Sequence, residues 1–403
     1  MMKSSARSLS IAVFFGLIGG CAHQVAVSPR SSNSPTPQPG LALVTDTAAR
    51  PWADSSARGP EAEIYRTWLR YLESKGGQYR RGAFRPSPYW LATEQQQWRV
   101  YDLAGSYLPD SAVPEVLSVG PVADLNSEYR VVTLFRSDNE NNSMRSRTVT
   151  VTVFALRSED GWVFANALPR LTQTWRRETI GRITYVMEPG YPFNRERAEQ
   201  AAAFVDSLAS AFGVPQIDPL TYFLTTSSDE VYRIMGLESE KKWGPVGGVA
   251  QPTNHQLFSG IPAVGEDYRH ELTHIVILPL MGRTTYFVSE GVPTWLGGTT
   301  GMDFPTAARG LAAFLRQHPG VDLDSIMSGH YPVAQFYAAA AVFVKLVYDQ
   351  GGTGAVKALF EFGPTAQDLR APVEHLLGRP WGSIASDWRH LVLSFASDSP
   401  TPH

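Results

Sequence analysis

Two histidines one helical turn apart constrain the folding of this 403-residue chain more than any other feature of its sequence. His270 and His274 flank Glu271 in the segment EDYRHELTHIVILP at 266–279. The acidic residues at its start and Pro279 at its end predict a helix between them. On a helix, residues i and i+4 share a face, so both imidazoles can bind one metal ion, whereas Glu271 is rotated by about 100° and can reach a water on the metal. The alternative is an amphipathic helix with two surface histidines.

A second segment, FVSEGVPTWL at 287–296, contains a candidate third ligand. A catalytic zinc needs three protein ligands and an open position for water, and two histidines with one glutamate are a common set. We expect Glu290 to supply this ligand from the start of a second helix, packed antiparallel to the first after a turn through 282–285. A glutamate before a glycine otherwise caps a helix or faces solvent. A three-histidine site is disfavoured, because no histidine follows His274 within forty residues.

HELTH followed by SEGxPxWL resembles the gluzincin metallopeptidases, and within them the peptidase MA-like family of envelope proteins. The resemblance covers about residues 178–396, with strong motifs at 247–298 and 337–352. It implies a zincin-like fold. The segment at 247–250 is similar to the family's edge strand, which lines the cleft and pairs with an extended substrate.

The resemblance also implies the roles of the site residues. The substrate would be a peptide or protein, and Zn²⁺ would be bound by His270, His274 and Glu290. Glu271 would be the general base that takes the proton of the attacking water. Tyr337 would stabilise the oxyanion.

The oxyanion donor has several other candidates. Tyr331, His330 and His255 are alternatives to Tyr337, and a tyrosine on an alanine-rich helix is equally suited to a core position. Asn254 and His255 could contact the substrate backbone, although polar residues on an edge more often face solvent.

Two positions depart from the family pattern. Thr294 stands where thermolysin-type gluzincins have an aspartate that orients a zinc-bound histidine, and losing such a partner costs about 10–100-fold in affinity or activity. Pro293 replaces the usual alanine, which is acceptable if it lies in the first helical turn. Thr294 leaves open the alternative of a zinc-binding lipoprotein that is catalytically weak or inactive and acts as a binding or assembly module. Hydrolysis of another amide, such as one in cell-wall peptides, is a third possibility.

The N-terminus predicts a bacterial lipoprotein. Lys3 and Arg7 precede an apolar run at 9–18, and small residues then lead to Cys21, which is the layout of a signal peptide. The run is too short to span a bilayer as a helix. Because IGGC resembles a lipobox, we expect Cys21 to be lipidated and to anchor the chain in the cell envelope, with the outer membrane favoured. An ordinary secreted protein is the alternative.

The order of the predicted elements, strands first and helices afterwards, favours an α+β fold. We expect the following segments: signal peptide and lipobox at 1–21, a Ser/Pro-rich tether at 22–58, a smaller α+β domain, NTF2-like in outline, at 59–175, the zincin-like domain at 178–397, and a tail at 398–403. The predicted strands are 129–135, 148–156, 162–165, 183–187, 220–224 and an edge segment at 249–258 with Pro252; helices are predicted near 64–72, after Asn194, near 229–235 and through most of the chain after 266.

Composition excludes several other classes. With 43% hydrophobic and 18% charged residues, the chain is too apolar for disorder. A single cysteine excludes a disulfide framework and a cysteine-rich metal site. A formal charge of −3 without a dense basic patch argues against nucleic acid as a partner. We expect Trp90, Trp98 and Tyr101 to lie in the core.

Overall fold

The computed structural model describes residues 50–54, 56–74, 87–94, 112–122, 127–137, 148–214, 218–239, 248–251, 254–282, 284–299, 301–329 and 331–396. Within these ranges the strands are β1 (Ala112–Pro121), β2 (Tyr129–Ser137), β3 (Val149–Ser158), β4 (Gly161–Ala165), β5 (Arg176–Ile180), β6 (Ile183–Met187), β7 (Leu220–Leu224), β8 (Leu237–Ser239), β9 (Gly248–Gln251) and β10 (Gln256–Ser259). The helices are α1 (Pro60–Ser74), α2 (Ala167–Leu171), α3 (Arg195–Phe212), α4 (Ser228–Ile234), α5 (Arg269–Ile277), α6 (Tyr286–Gly297), α7 (Phe304–Gln317), α8 (Leu323–Met327), α9 (Val333–Ala358), α10 (Ala366–Leu377) and α11 (Trp381–Ser394). The protein is therefore mixed α+β, as predicted.

The chain divides into two compact units. The first contains the described part of residues 1–166 and of 236–244, and the second contains the described part of 167–235 and of 245–403. The sequence placed this division at 175–178, whereas α2 and the start of β5 already belong to the second unit.

The first unit is a helix on an antiparallel sheet. The strand order is β1-β2-β3-β4, and β8 pairs with β3 as well. The core is aromatic: Trp68 and Tyr71 of α1 lie against Phe164 and Trp90, and the Trp68 indole donates to the Thr133 hydroxyl at 2.8 Å. The predicted helix and three predicted strands are confirmed, but β1 was not predicted. Trp90 is buried as expected; Trp98 and Tyr101 lie outside the described residues, and NTF2 likeness stays a prediction.

The second unit contains a five-stranded mixed sheet with the order β5-β6-β7-β10-β9. The three central strands are parallel, and both edge strands pair antiparallel to their neighbours. The connection from β6 to β7 runs through α3, which begins after Asn194 because the Asn194 side chain accepts a hydrogen bond from the Arg197 amide at 3.1 Å.

The predicted extended segment at 249–258 is wrong in one respect, because it forms two strands instead of one. β9 and β10 are antiparallel neighbours, with Gln251 opposite Gln256. His255 lies in the turn between them with a left-handed φ of 51°. β9 is nevertheless an edge strand, as expected; Pro252 lies outside the described residues.

Helices α5 to α11 follow the sheet, and their core is continuous with it. The alanine-rich α9 lets α6 approach closely: a Cβ on Gly291 would lie 2.8 Å from the Ala340 carbonyl oxygen. The regular path of α9 breaks at Gly352, where φ is 62°, close to the predicted stop, and then continues to Ala358. Within the parts of the chain that the structure describes, no helix is both long and apolar enough to cross a membrane.

Candidate metal centre

Helix α5 presents the two histidines because its other face belongs to the core. Leu272, Ile275 and Val276 are at most 3% exposed, so the opposite side of the helix faces α6. The loop before α5 is fixed by hydrogen bonds: the buried Glu266 carboxylate accepts from the Asn194 amide at 2.8 Å, and the Tyr222 hydroxyl donates to the Gly265 carbonyl at 2.6 Å. The buried face of α5 and the hydrogen bonds of the preceding loop together fix which side of the helix carries the two histidines.

Helix α6 begins earlier than the sequence suggested. The Thr285 hydroxyl accepts from the Val288 amide at 3.0 Å, so the helix starts at Tyr286. The prediction that Glu290 lies at the start of this helix and Pro293 in its first turn is therefore wrong. Both are interior residues, and the Ser289 carbonyl lacks its usual helical partner because Pro293 has no N–H. Glu290 lies one turn inside the helix and is 8% exposed.

His270, His274 and Glu290 form a compact cluster. The Nε2 atoms of His270 and His274 lie 3.4 and 3.5 Å from the same Glu290 Oε2 atom. All three donor atoms lie within 4.8 Å of one another, and among the described residues this is the group of three or more such side chains that can hold a metal ion. Ligand atoms about 2.1 Å from a tetrahedral zinc ion are separated by about 3.4 Å. The spacing of this donor set therefore fits a shared ion.

The charges within this cluster are coupled. Burial raises the pKa of Glu290, but the adjacent His274 and the hydrogen bonds from both imidazoles outweigh burial and hold that pKa well below its usual range. Burial lowers the pKa of His274, whereas the Glu290 carboxylate raises it, and the net shift is upward. Glu290 is therefore an anionic ligand, and protons compete with metal for His274.

A main-chain carbonyl orients His270. Its Nδ1 lies 2.8 Å from the Gly298 carbonyl oxygen. With a metal bound, Nδ1 would carry the proton and donate it to this carbonyl, which leaves the Nε2 lone pair for the metal. Thr294 does not take the place of the expected aspartate, because its buried hydroxyl oxygen has no hydrogen-bond partner among the described residues. The orienting group that the sequence appeared to lack is thus supplied by the backbone after α6.

The end of α6 brings that carbonyl to His270. A Cβ on Gly297 would overlap the backbone of Arg269 and His270, so the C-terminus of α6 lies directly on the N-terminus of α5. The two helices are antiparallel, as predicted. Gly298 then adopts a φ of 74°, and Thr299 and Met302 close the turn by exchanging two backbone hydrogen bonds of 2.8 and 2.6 Å.

Glu271 lies between the metal-ligand cluster and β9. It is 9% exposed, and a Cβ on Gly248 would lie 3.0 Å from its Cγ atom. The charge of the Glu271 carboxylate contributes to the raised pKa of His274. The structure therefore brings Glu271 next to both the edge strand and the proposed ligands.

Tyr337 is the candidate oxyanion donor that lies beside the cluster. Its ring stacks on that of His270 with centroids 6.0 Å apart and planes 15° apart. Tyr331 instead packs against Phe314. His255 lies 3.6 Å from Asp218, at the opposite end of β9 from Gly248.

The remaining residues named from the sequence are His330, Cys21 and Asn254. His330 and Cys21 lie outside the described residues. Asn254 donates to Gln251 at 3.1 Å within the hairpin.

Two groups at the site, one backbone carbonyl and one tyrosine, were not predicted from the sequence. The Gly298 carbonyl is a backbone atom, and its only sequence signal is the Gly297-Gly298 pair after the helix. Tyr286 was also missed: its hydroxyl lies 3.0 Å from that of Tyr337. Its aromatic character and its position four residues before Glu290, on the same face of α6, could have indicated it.

No known protein-family model matches the sequence, and no curated protein matches it significantly. The geometry of this cluster is therefore the observation from which a function can be inferred.

Proposed function

We propose that the protein is a zinc-dependent peptidase of the gluzincin type. The observation that carries this proposal is the convergence of two histidine Nε2 atoms on one Glu290 oxygen, at 3.4 and 3.5 Å. Glu271 supports it further, because a purely structural metal site has no use for a second buried carboxylate beside the ligands. The proposed location is the bacterial cell envelope, through a lipid on Cys21.

The proposed chemistry assigns one role to each side chain. Zinc held by His270, His274 and Glu290 would supply Lewis-acid activation of a water and of the scissile carbonyl. Glu271 accepts the proton of the attacking water and passes it to the leaving amine. Tyr337 donates a hydrogen bond to the carbonyl oxygen as negative charge develops on it.

The position of β9 supports an extended peptide as the substrate. β9 is an edge strand, and its first residue, Gly248, lies against Glu271. Among the described residues, no strand pairs with the other edge of β9, and a peptide that pairs there would present its own backbone to the cluster. A Cβ on Gly248 would lie 2.7 Å from the Tyr268 ring, so the glycine lets β9 pack closely against this ring and Glu271.

The test is digestion of a broad peptide library, read by mass spectrometry, with the zinc content of each protein measured in parallel. We compare wild type, Glu271→Gln and a matched control, Glu199→Gln, which changes an exposed glutamate of α3. We expect wild type and the control to cleave the same peptides, whereas Glu271→Gln binds zinc and cleaves none.

Two results contradict the proposal. Zinc binding without cleavage by the wild type favours the alternative of a zinc-binding assembly module. Cleavage that persists in Glu271→Gln at the wild-type rate excludes Glu271 as the general base.

A further inference from the structure

Two tyrosine hydroxyls meet beside the metal-ligand cluster. Tyr286 is the first residue of α6 and Tyr337 lies in α9, and their Oη atoms are 3.0 Å apart. Tyr337 is 8% exposed, whereas Tyr286 is 41% exposed. The pair therefore joins a buried tyrosine at the site to a tyrosine whose side chain is partly exposed.

Both phenols are neutral hydrogen-bond donors at ordinary pH. Burial raises the pKa of Tyr337 well above its usual range, and the nearby Glu290 carboxylate raises it further. Burial and the same carboxylate raise the pKa of Tyr286 to about 12. A phenol has an ordinary pKa of about 10 and is protonated at neutral pH in any case, so each hydroxyl has one proton and either one can donate across the 3.0 Å contact.

We propose that Tyr286 is a positioning residue for Tyr337, and that its hydroxyl donates to Tyr337 Oη. The Tyr337 proton can then point at the carbonyl oxygen of the substrate, on which negative charge develops. Without this donor, the Tyr337 hydroxyl is no longer held in that orientation, and its proton is free to turn towards a water. The inference deepens the proposed peptidase function and rests on it.

The surroundings of Tyr286 suit this role. Its ring stacks on Phe336, the residue next to Tyr337, with centroids 5.5 Å apart and planes 22° apart. Because Phe336 and Tyr337 are neighbours in α9, the stack fixes the Tyr286 hydroxyl relative to that of Tyr337. Hydrogen-bonded groups in series polarise one another, so a Tyr286 hydroxyl that donates to Tyr337 Oη strengthens Tyr337 as a donor.

The experiment is a double-mutant cycle on the full, zinc-loaded protein. The variants are Tyr286→Phe, Tyr337→Phe and the double substitution; phenylalanine keeps the ring stacked on Phe336. Tyr348→Phe is the matched control, because Tyr348 is 40% exposed, packs against another ring, that of Trp295, and lies about 16 Å along α9 from Tyr337. The readouts are kcat and KM for a cleaved peptide, and calorimetric binding of a capped dipeptide phosphonate, whose tetrahedral anion accepts the same hydrogen bond.

We expect Tyr286→Phe to lower kcat by about five-fold with KM unchanged, and to weaken phosphonate binding by a similar factor, as for the loss of one hydrogen bond. The control has no effect, and Tyr286→Phe has no further effect in the Tyr337→Phe background. If the loss persists in that background, or if Tyr286→Phe behaves like the control, the positioning role is wrong. If no peptide is cleaved but the phosphonate still responds to Tyr286→Phe in this way, the positioning role stands and the peptidase proposal fails.

Discussion

Gly298 illustrates how a single residue can serve a metal centre without contributing a side chain. Its carbonyl accepts from His270 at 2.8 Å, whereas the sequence directed attention to position 294, where Thr294 stands, for the orienting group. A carbonyl performs the same task as a carboxylate, which is to fix the tautomer and the orientation of the ring. It carries no full charge, so it raises the basicity of the imidazole less.

The Gly298 turn can be tested by substitution. A Cβ at this position would overlap the Met302 carbonyl oxygen, and φ is 74°, so Gly298→Ala must displace the carbonyl from His270. We expect zinc affinity to fall by about ten-fold or more, measured by competition with a chromophoric chelator. Gly310→Ala in α7 is the control, since a Cβ there meets nothing within 4 Å. Equal zinc affinity for Gly298→Ala and wild type would show that the carbonyl does not matter.

The coupling of His274 and Glu290 predicts a pH dependence of zinc binding. The pKa of His274 is raised from 6.5, because the Glu290 carboxylate outweighs burial. Protons therefore begin to displace zinc at a higher pH than at an ordinary histidine, and affinity falls as the pH is lowered. We expect this loss to begin above pH 6.5 when dissociation constants are measured across a pH series.

Glu290→Gln is the control for this dependence. It removes the charge that raises the pKa of His274, so the onset of the loss moves to lower pH, while affinity at high pH also decreases because an anionic ligand is gone. An onset that is the same in both proteins would contradict the assigned cause.

At the scale of elements, the site depends on how closely α6 approaches its neighbours. Gly291 faces the Ala340 backbone in α9, and Gly297 faces the start of α5. The alanine-rich sequence of α9 therefore acts as a contact surface for the ligand-bearing helix. This close contact explains why the four small residues at 338–341 of α9 are almost completely buried.

Gly291→Ala should destabilise the protein. The new Cβ would lie 2.8 Å from the Ala340 carbonyl oxygen and 3.0 Å from Val344 Cγ2, both in a packed core. We expect a loss of about 1–3 kcal/mol in the free energy of unfolding, measured with a chemical denaturant. Gly354→Ala, in open space in α9, should be neutral or stabilising by up to about 1 kcal/mol. If both substitutions behave alike, α6 does not depend on this approach.

Local sequence signals predicted α5 well and α6 less well. The acidic start and Pro279 bracket α5, and the i, i+4 histidines define its functional face. Pro293 suggested a helix beginning near Glu290, since proline favours the first turn. In the structure the helix begins after the Thr285 cap. Close packing around α6 stabilises the helix although Pro293, which would destabilise an isolated helix, lies inside it. Packing of this kind cannot be deduced from one sequence.

At the scale of the whole molecule, the class of the fold was predictable and the pairing of distant strands was not. The predicted strands at 183–187 and 220–224 match β6 and β7 in the second unit. β8 returns to the first unit and pairs with β3, almost ninety residues earlier in the chain, with Leu237 opposite Val151. Three residues carry too little hydrophobic pattern to reveal such a pairing.

The proposed anchor is also tested on the whole molecule. Cys21 is the only cysteine, so Cys21→Ser removes the single attachment point for lipid. In cells grown with a labelled fatty acid, we expect the wild type to be labelled and to sediment with membranes. We expect Cys21→Ser to be unlabelled and released, since stable anchoring requires the acyl chains. Retention of Cys21→Ser in the membrane fraction would contradict lipid anchoring at this residue.

Zinc can be titrated into the metal-free protein while the cleavage of a peptide identified from the library is followed. We expect the rate to rise in proportion to bound zinc, to reach its plateau at one zinc per chain, and to stay at zero for His274→Ala over the same range. Cleavage that is independent of zinc, or a filled site with no cleavage, would show that the protein is not a zinc-dependent peptidase.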